Sequence, residues 1–141
     1  MEGTQTEATQ TEAAEDAALE RYLGVWAIAD DAKRHDAVAA LWSADGVEFV
    51  EGARFEGRAR IADRVKEAHD AFVATGRYIV GWDNDLSVHG DVLRFTIHLA
   101  EPVAGDRPGE VAWAARVFLL LDEHGLVQQS YQLTVKPLPV S

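Results

Sequence analysis

His98 is the residue whose type and position point most directly to chemistry. It lies in the middle of residues 92–101, which alternate apolar and polar side chains as a β-strand does. An imidazole titrates near neutral pH and therefore suits general acid–base catalysis. His98 shares its face of the strand with Arg94 and Thr96, and that face is also compatible with the exposed side of a sheet. We predict a catalytic His98 and leave the exposed alternative open.

Two acids in the preceding segment form a second candidate group. In Trp82-Asp83-Asn84-Asp85, strand alternation places Asp83 and Asp85 on one face. Either acid could exchange a proton with a ligand. The interpretation that we favour is an edge strand whose charges prevent pairing with another chain.

The sequence predicts neither a metal nor any other cofactor. It contains no cysteine, and its histidines and acids do not have the spacing of metal ligands. The motifs of serine hydrolases, zinc proteases and nucleotide-binding loops are missing as well. Any chemistry must therefore come from residues that are far apart in the chain.

Four tryptophans in 141 residues suggest a ligand pocket with aromatic walls. Trp26 and Trp113 could form walls for a flat or polycyclic ligand, whereas Trp42 is predicted to lie in the core. Gln132 shares one face of the last predicted strand with three other polar residues, namely Gln128, Ser130 and Thr134. Simple burial explains Trp113 equally well but does not explain a buried Gln132.

The charge of the chain limits its partners. The net charge is −11, and six acids with no lysine or arginine fall within residues 1–20. Without a basic patch, we expect no nucleic-acid partner and no membrane partner. The first residues do not resemble a signal peptide, no apolar run is long enough to span a membrane, and the expected location is cytoplasmic.

Residues 1–14 are predicted to be a disordered acidic tail that precedes a single domain at 15–141. The segment repeats Thr-Gln-Thr-Glu-Ala at 4–8 and 9–13, and it has little apolar surface to bury. Helical periodicity begins near Glu15, with an apolar stripe at Leu19, Tyr22, Leu23, Trp26 and Ala27.

Two further helices precede the main strands. The second contains Val38 and Leu41, with Asp36 as its expected N-cap. The third covers about 59–75 and ends at Gly76. Its basic residues are interpreted as a solvated face: Arg58, Arg60, Arg64 and Lys66.

Strand periodicity is found at 47–50 and again from residue 77 onward. The later strands are predicted at 77–88, 92–101, 110–122 and 126–136, joined by turns at 89–91 and 123–125 and a loop at 102–109. Helices first and strands last predict an α+β fold with a curved antiparallel sheet around three helices. Because the last two strands are apolar on both faces, we expect a homodimer through the face with Phe118 and Tyr131.

Four phrases carry a resemblance to a known family. In chain order they are RYLGVWAIADD, DAVAALWSADGVEFVEG, RFEGRARIADRV and VFLLLDEHGLVQQSYQLTV. This arrangement resembles the SnoaL-like branch of the nuclear transport factor 2-like superfamily. That superfamily includes ketosteroid isomerases, polyketide cyclases, scytalone dehydratase and limonene epoxide hydrolase. The resemblance implies a cone-shaped sheet whose concave face holds an apolar pocket and whose convex face commonly pairs two subunits.

The resemblance also suggests roles for individual residues. Tyr22 matches the tyrosine that ketosteroid isomerases use to stabilise an enolate oxygen, although a core aromatic explains it equally well. The position of their general base is taken by Val50, which Glu48 and Glu51 flank, and their second acid aligns near Val117. Valine cannot transfer a proton, so ketosteroid isomerisation by that mechanism is disfavoured.

The predicted function is a cofactor-free cyclase, isomerase or dehydratase that acts on an apolar carbonyl compound, as in secondary metabolism. Tyr22 and His98 are the predicted catalytic residues, and similar histidines occur in dehydratases of the resembling family. The predicted substrate-binding residues are Trp26, Phe49, Val50, Trp113, Val117 and Gln132. The alternative is a non-catalytic module that binds a ligand or forms a dimer.

Overall fold

Three helices and a seven-stranded sheet make up the computed structural model. It describes the backbone of residues 2–103 and 107–138 and the side chains of residues 15–103 and 109–138. The elements are α1 Glu2–Ala27, α2 Asp31–Leu41, β1 Trp42–Val50, β2 Ala53–Glu56, α3 Gly57–Ala68, β3 Ile79–Trp82, β4 Ser87–His89, β5 Val92–Val103, β6 Arg107–Leu121 and β7 Val127–Lys136. A π-helical turn, His69–Val73, follows α3 directly. The α+β architecture predicted from the sequence is confirmed.

The first two helices begin earlier than their sequence signals predicted. α1 starts at Glu2 rather than near Glu15, because the alanine, glutamate and glutamine of this stretch favour helix. The side chains of residues 1–14 lie outside the described part, and the division at residue 14 remains a prediction. The N-cap of α2 is Asp30 and not Asp36. Asp30 has the extended backbone that a cap requires, and its carboxylate accepts a hydrogen bond from the Lys33 amide at 2.8 Å.

The sheet is mixed rather than wholly antiparallel. Its strand order is β2-β1-β7-β6-β5-β3, and β4 pairs with β5. Neighbouring strands are antiparallel except β1 and β7, which run parallel with Val50 opposite Gln132. Most of the chain separates these two strands, so no hairpin forces them to be antiparallel. β1 also starts earlier than expected, at Trp42, because a bulge between Trp42 and Val47 accommodates the predicted turn inside the strand.

An aspartate side chain divides the predicted strand 77–88 into β3 and β4. Asn84 adopts a left-handed backbone with φ 55°, which interrupts the ladder. At Thr96, the Asp85 carboxylate then takes the hydrogen bond that a neighbouring strand would otherwise accept. It accepts hydrogen bonds from the Thr96 amide at 2.9 Å and from the Thr96 hydroxyl at 2.7 Å. The acidic segment is therefore an ordered break between β3 and β4 at the sheet edge, stabilised by hydrogen bonds to Thr96.

Much of the predicted loop 102–109 belongs to strands instead, because β5 ends at Val103 and β6 begins at Arg107. Residues 104–106 and Pro139, which was predicted to help close the chain, lie outside the described residues. The main core fills the space between the helices and the inner face of the sheet. Its largest fully buried side chains include Trp42, Tyr22, Phe95, Leu41, Ile61, Leu93 and Leu119.

Candidate functional site

A cavity of about 300 Å³ opens between the helices and the inner face of the sheet. That volume is at the lower end for pockets that hold small molecules. Its described lining residues are Trp26, Val50, Arg64, Ala68, Phe72, Ile97, Leu99, Trp113, Gln132, Thr134 and Leu138. Most of them are apolar, and Arg64 is the only charged residue among these described lining residues. The cavity therefore suits an apolar ligand with one polar or charged group.

Strand alternation explains which side chains reach the cavity. On β5, Ile97 and Leu99 point inward, and on β7 Gln132 and Thr134 do so. Thr134 was placed on this face by the sequence together with Gln132. Phe72 comes from the π-helical turn after α3, a helix type that is often found at functional sites.

Three polar side chains form a chain of hydrogen bonds beside the cavity. Gln132 Nε2 donates to the Tyr22 hydroxyl at 3.2 Å, and Arg64 Nη2 donates to Gln132 Oε1 at 2.8 Å. Both ends of the buried Gln132 amide are therefore bonded, which fixes its orientation. Because Tyr22 accepts from Gln132, its own O–H remains available as a donor.

Glu48 precedes the lining residue Val50 by two positions on β1 and is not itself part of the cavity lining. It faces the same side of β1 as Val50, and it is opposite Ser130 where Val50 is opposite Gln132. Its side chain is 0% exposed, and Oε2 lies 3.9 Å from Arg64 Nε. No donor among the described residues lies within ordinary hydrogen-bond distance of either carboxylate oxygen, and the Tyr22 hydroxyl is the neighbouring donor that favours the ionised carboxylate. A buried carboxyl group without hydrogen bonds is rare and calls for an explanation.

Burial controls the protonation of this group of residues. It raises the pKa of Glu48 from 4.5 to about 6, against the opposing effects of the Arg64 guanidinium and the Tyr22 hydroxyl. Burial, together with the negative charge of Glu48, also raises the pKa of Tyr22 well above its ordinary value. Near neutral pH, Tyr22 therefore stays protonated while Glu48 is able to exchange a proton.

Arg64 is not part of a solvated face, which corrects the prediction for this residue. Its side chain is 14% exposed, and its guanidinium carbon lies 4.9 Å from the centre of the Trp26 ring. Lys66, by contrast, pairs with Asp70 at 2.7 Å on the exposed side of α3. The sequence contained the signal, because Arg64 lies three residues after Ile61, on the apolar face of the helix.

The structure brings four of the predicted binding residues together around the cavity: Trp26, Val50, Trp113 and Gln132. Tyr22 is fully buried behind Gln132. Val117 is opposite Gln132 in the β6–β7 register and lies in the core rather than in the cavity lining. Phe49 points to the other face of β1 and stacks on Tyr131, with ring centres 4.8 Å apart.

His98 lies on the opposite face of β5 from the cavity. Ile97 and Leu99 on either side of it line the cavity, so alternation turns His98 away. Its Nδ1 is 2.7 Å from the Asp83 carboxylate, and its ring lies over Gly81. The structure thus places the two predicted catalytic residues, Tyr22 and His98, on different sides of the sheet.

No group of three or more His, Asp or Glu side chains within the described ranges could hold a metal ion. Over the same part of the chain, no helix is both long and apolar enough to cross a membrane.

Solved structures with a similar fold include an isomerase of the SnoaL-like family, provisionally named so, from Agrobacterium tumefaciens str. C58. It has a TM-score of 0.74 and 19% identity, and the match covers 86% of this chain and 97% of that one. A provisionally named polyketide cyclase from Sinorhizobium meliloti has a TM-score of 0.61, 17% identity and coverage of 84% and 97%.

A third structure is a protein from Catenulispora acidiphila DSM 44928 with a ketosteroid isomerase-like fold, solved in complex with trimethylamine. It has a TM-score of 0.56, 18% identity and coverage of 82% of both chains. At these identities the likeness concerns the fold alone. No curated protein matches the chain in sequence. The family model described as a SnoaL-like domain matches residues 11–131, and the chain therefore belongs to the SnoaL-like domain family.

Proposed function

We propose that this protein is a cofactor-free acid–base enzyme that converts an apolar carbonyl compound, as an isomerase, cyclase or dehydratase. The observation that supports this proposal is the buried Glu48 carboxyl group, with a pKa of about 6 and no hydrogen-bond partner among the described residues. It lies beside Arg64, the charged residue of the cavity lining. A carboxyl group tuned towards neutral pH is suited to both accepting and donating a proton.

Arg64 and Gln132 are proposed to bind the ligand's carbonyl oxygen. The guanidinium group stabilises negative charge on that oxygen, and does so more strongly in a site with little water. Tyr22 is a positioning residue, because it holds the Gln132 amide in place from behind. The aromatic walls formed by Trp26 and Trp113 bind the apolar body of the ligand.

Glu48 is proposed to transfer the proton. It is fully buried in the structure, and in this proposal a ligand that draws the Arg64 side chain towards itself uncovers Glu48. The 3.9 Å separation of Arg64 Nε and Glu48 Oε2 favours this movement, since no hydrogen bond has to break between them. In this scheme His98 has no part in the reaction, and Glu48 takes the proton-transfer role that was predicted for His98.

The test combines binding with turnover. Polyketide-like, steroid and terpenoid ketones are screened by thermal shift, and compounds that bind are incubated in D2O to follow exchange at the carbon next to the carbonyl. We expect Glu48→Gln to retain binding and to lose exchange or turnover by about 100-fold or more. Glu67→Gln, an exposed acid on α3, is the matched control and should behave as wild type. Equal turnover in Glu48→Gln would refute the role of Glu48.

A non-catalytic ligand-binding module is the second candidate. One observation favours it: the described lining of the cavity contains no acid and no histidine. In that case the same screen yields compounds that stabilise the protein, but none of them is exchanged or converted in D2O.

We also propose a homodimer through the outer face of the sheet. Leu133 and Val135 are 48% and 54% exposed on that face of β7, next to the partly buried Phe118 and Tyr131. A second subunit would cover this apolar surface.

A further inference from the structure

Two charged groups beside the cavity have buried atoms without hydrogen bonds to the described residues. Arg64 Nε is buried without a hydrogen-bond partner in the described part of the chain, and so are both oxygens of Glu48. The two groups are 3.9 Å apart, which is beyond hydrogen-bond distance. Such an arrangement leaves the Arg64 guanidinium group able to bind a further negative group.

We propose that the cavity binds apolar carboxylic acids as anions on Arg64 and Gln132, and that Glu48 takes up a proton when the anion binds. This inference rests on the site of the proposed function and names its substrate class: the apolar carbonyl compound carries a carboxylate, and Arg64 and Gln132 hold that group in the place of a ketone oxygen. The carboxylate would be one end of the ligand, and the apolar body would occupy the space between Trp26 and Trp113.

The choice of an anion follows from the donors that are present. A guanidinium group has five N–H donors in a planar fork that matches the two oxygens of a carboxylate. Arg64 uses one nitrogen, Nη2, to bond Gln132, and its orientation is held by the Trp26 ring. Because no acid lies among the described lining residues, nothing in the lining repels an incoming anion.

The uptake of a proton follows from the like charge of Glu48. A bound carboxylate and an ionised Glu48 would share one guanidinium group in a site of low polarity, which is unfavourable. The described groups around Glu48 are Tyr22 from α1, Arg64 from α3, and the cross-strand neighbours Phe55 from β2 and Ser130 from β7. None of them is a base that could take the proton instead, because Tyr22 is already protonated and the others cannot accept one.

Protonation changes the role of Glu48 in the reaction. The proton comes from solvent when the anion binds, so Glu48 meets the substrate as an acid. An acid suits the protonation of a carbonyl or hydroxyl oxygen, as in a dehydratase or cyclase, whereas a neutral ketone would meet Glu48 ionised, as the base that exchange next to a carbonyl requires.

The test uses 2-naphthoate and its neutral analogue 2-naphthamide as probes in isothermal titration calorimetry. Titrations in phosphate and in Tris, which differ in ionisation enthalpy, measure the protons taken up per ligand. At pH 7 we expect wild type to take up most of one proton with naphthoate and none with naphthamide. Between pH 7 and 8 its affinity for naphthoate should fall by up to about tenfold, because binding then requires a scarcer proton.

Two variants and one control make the interpretation specific. Glu48→Gln should bind naphthoate without proton uptake and with little pH dependence, and more tightly than wild type at pH 8. Arg64→Met should lose the preference for naphthoate over naphthamide. Glu67→Gln should take up the same fraction of a proton as wild type.

Several outcomes would overturn the inference: no binding of naphthoate, equal affinity for the two probes in wild type, or proton uptake that persists in Glu48→Gln. These outcomes are separate from those that decide the proposed function. Proton uptake without turnover of any compound would refute the enzyme and leave the inference standing. Turnover that depends on Glu48, without proton uptake, would support the enzyme and refute the inference.

Discussion

Arg64 Nε lies 3.9 Å from Glu48 Oε2, and neither atom has a hydrogen-bond partner among the described residues. A buried ion pair contributes to stability only when good geometry and further hydrogen bonds offset the loss of hydration. Those conditions are not met for Glu48, whose pKa is raised even though a guanidinium group is nearby. The pair therefore contributes little to the stability of the fold, which is consistent with the ligand-binding role proposed for the two residues.

Replacing Glu48 by glutamine should change how stability depends on pH. The folded protein holds the Glu48 proton more tightly than the unfolded chain, with a pKa of about 6 against 4.5. The resulting stabilisation is fully present below pH 4.5 and is lost as the pH rises through 6, a change of about 2 kcal/mol. Urea unfolding at a series of pH values should show this loss in wild type and not in Glu48→Gln. Parallel curves for the two proteins would contradict the assignment.

Replacing either neighbour that favours ionised Glu48 should raise the Glu48 pKa further. Arg64→Met removes the nearby positive charge, and Tyr22→Phe removes the hydroxyl group. We expect a larger rise for Arg64→Met than for Tyr22→Phe, observed as the midpoint of the Glu48 carboxyl carbon signal in an NMR titration. His98→Asn is the control, and its midpoint should equal that of wild type. A midpoint that fell in Arg64→Met would be incompatible with the structure.

The contact between Gly81 and His98 should appear as a coupling between two substitutions. A Cβ at position 81 would lie 2.5 Å from His98 Nε2, while Asp83 holds the other side of the ring. Gly81→Ala should therefore destabilise the protein by about 1–2 kcal/mol, and by clearly less in a His98→Ala background. Urea denaturation of the four proteins measures the difference. Ligand binding in the cavity should not change in any of them, and a loss of binding in His98→Ala would restore a role for that histidine.

The proposed dimer should depend on the exposed apolar residues of β7. Leu133→Lys combined with Val135→Lys places charge on that face without disturbing the core, because both side chains are about half exposed. Light scattering after size exclusion should give a dimer for wild type and a monomer for the double variant. The control Val88→Lys places the same charge at an exposed position outside this face, and this variant should remain dimeric. A monomeric wild type would refute the dimer.

The sequence predicted the fold and part of the cavity for clear physical reasons. Helical spacing identified the buried face with Tyr22 and Trp26, and strand alternation placed Gln132 on the inner face of the sheet. The same alternation indicates that His98 lies on the outer face of the sheet, because its neighbours Ile97 and Leu99 form the apolar inner side of β5.

Two charged residues of the site were not predicted, for a different reason. Arg64 and Glu48 are charged, and charged side chains are usually exposed unless a partner accompanies them into the interior. The partners here come from distant parts of the chain: Gln132 bonds Arg64 from 68 residues away. Local patterns do not contain that information: the parallel pairing of β1 with β7 brings Glu48 and Gln132 onto neighbouring strands, and α3 places Arg64 against both.

That pairing also determines when the site can assemble during synthesis. β1 leaves the ribosome early, yet one of its two strand neighbours is β7, which comes after all the other described strands. Trp42 Nε1 can donate its hydrogen bond only once Ser130, 88 residues later, has been made, and the Tyr22 hydroxyl accepts from Gln132, 110 residues later. A nascent chain without β7 leaves that edge of β1 open to other strands, so translation of β7 both adds Gln132 to the pocket and covers this edge against aggregation.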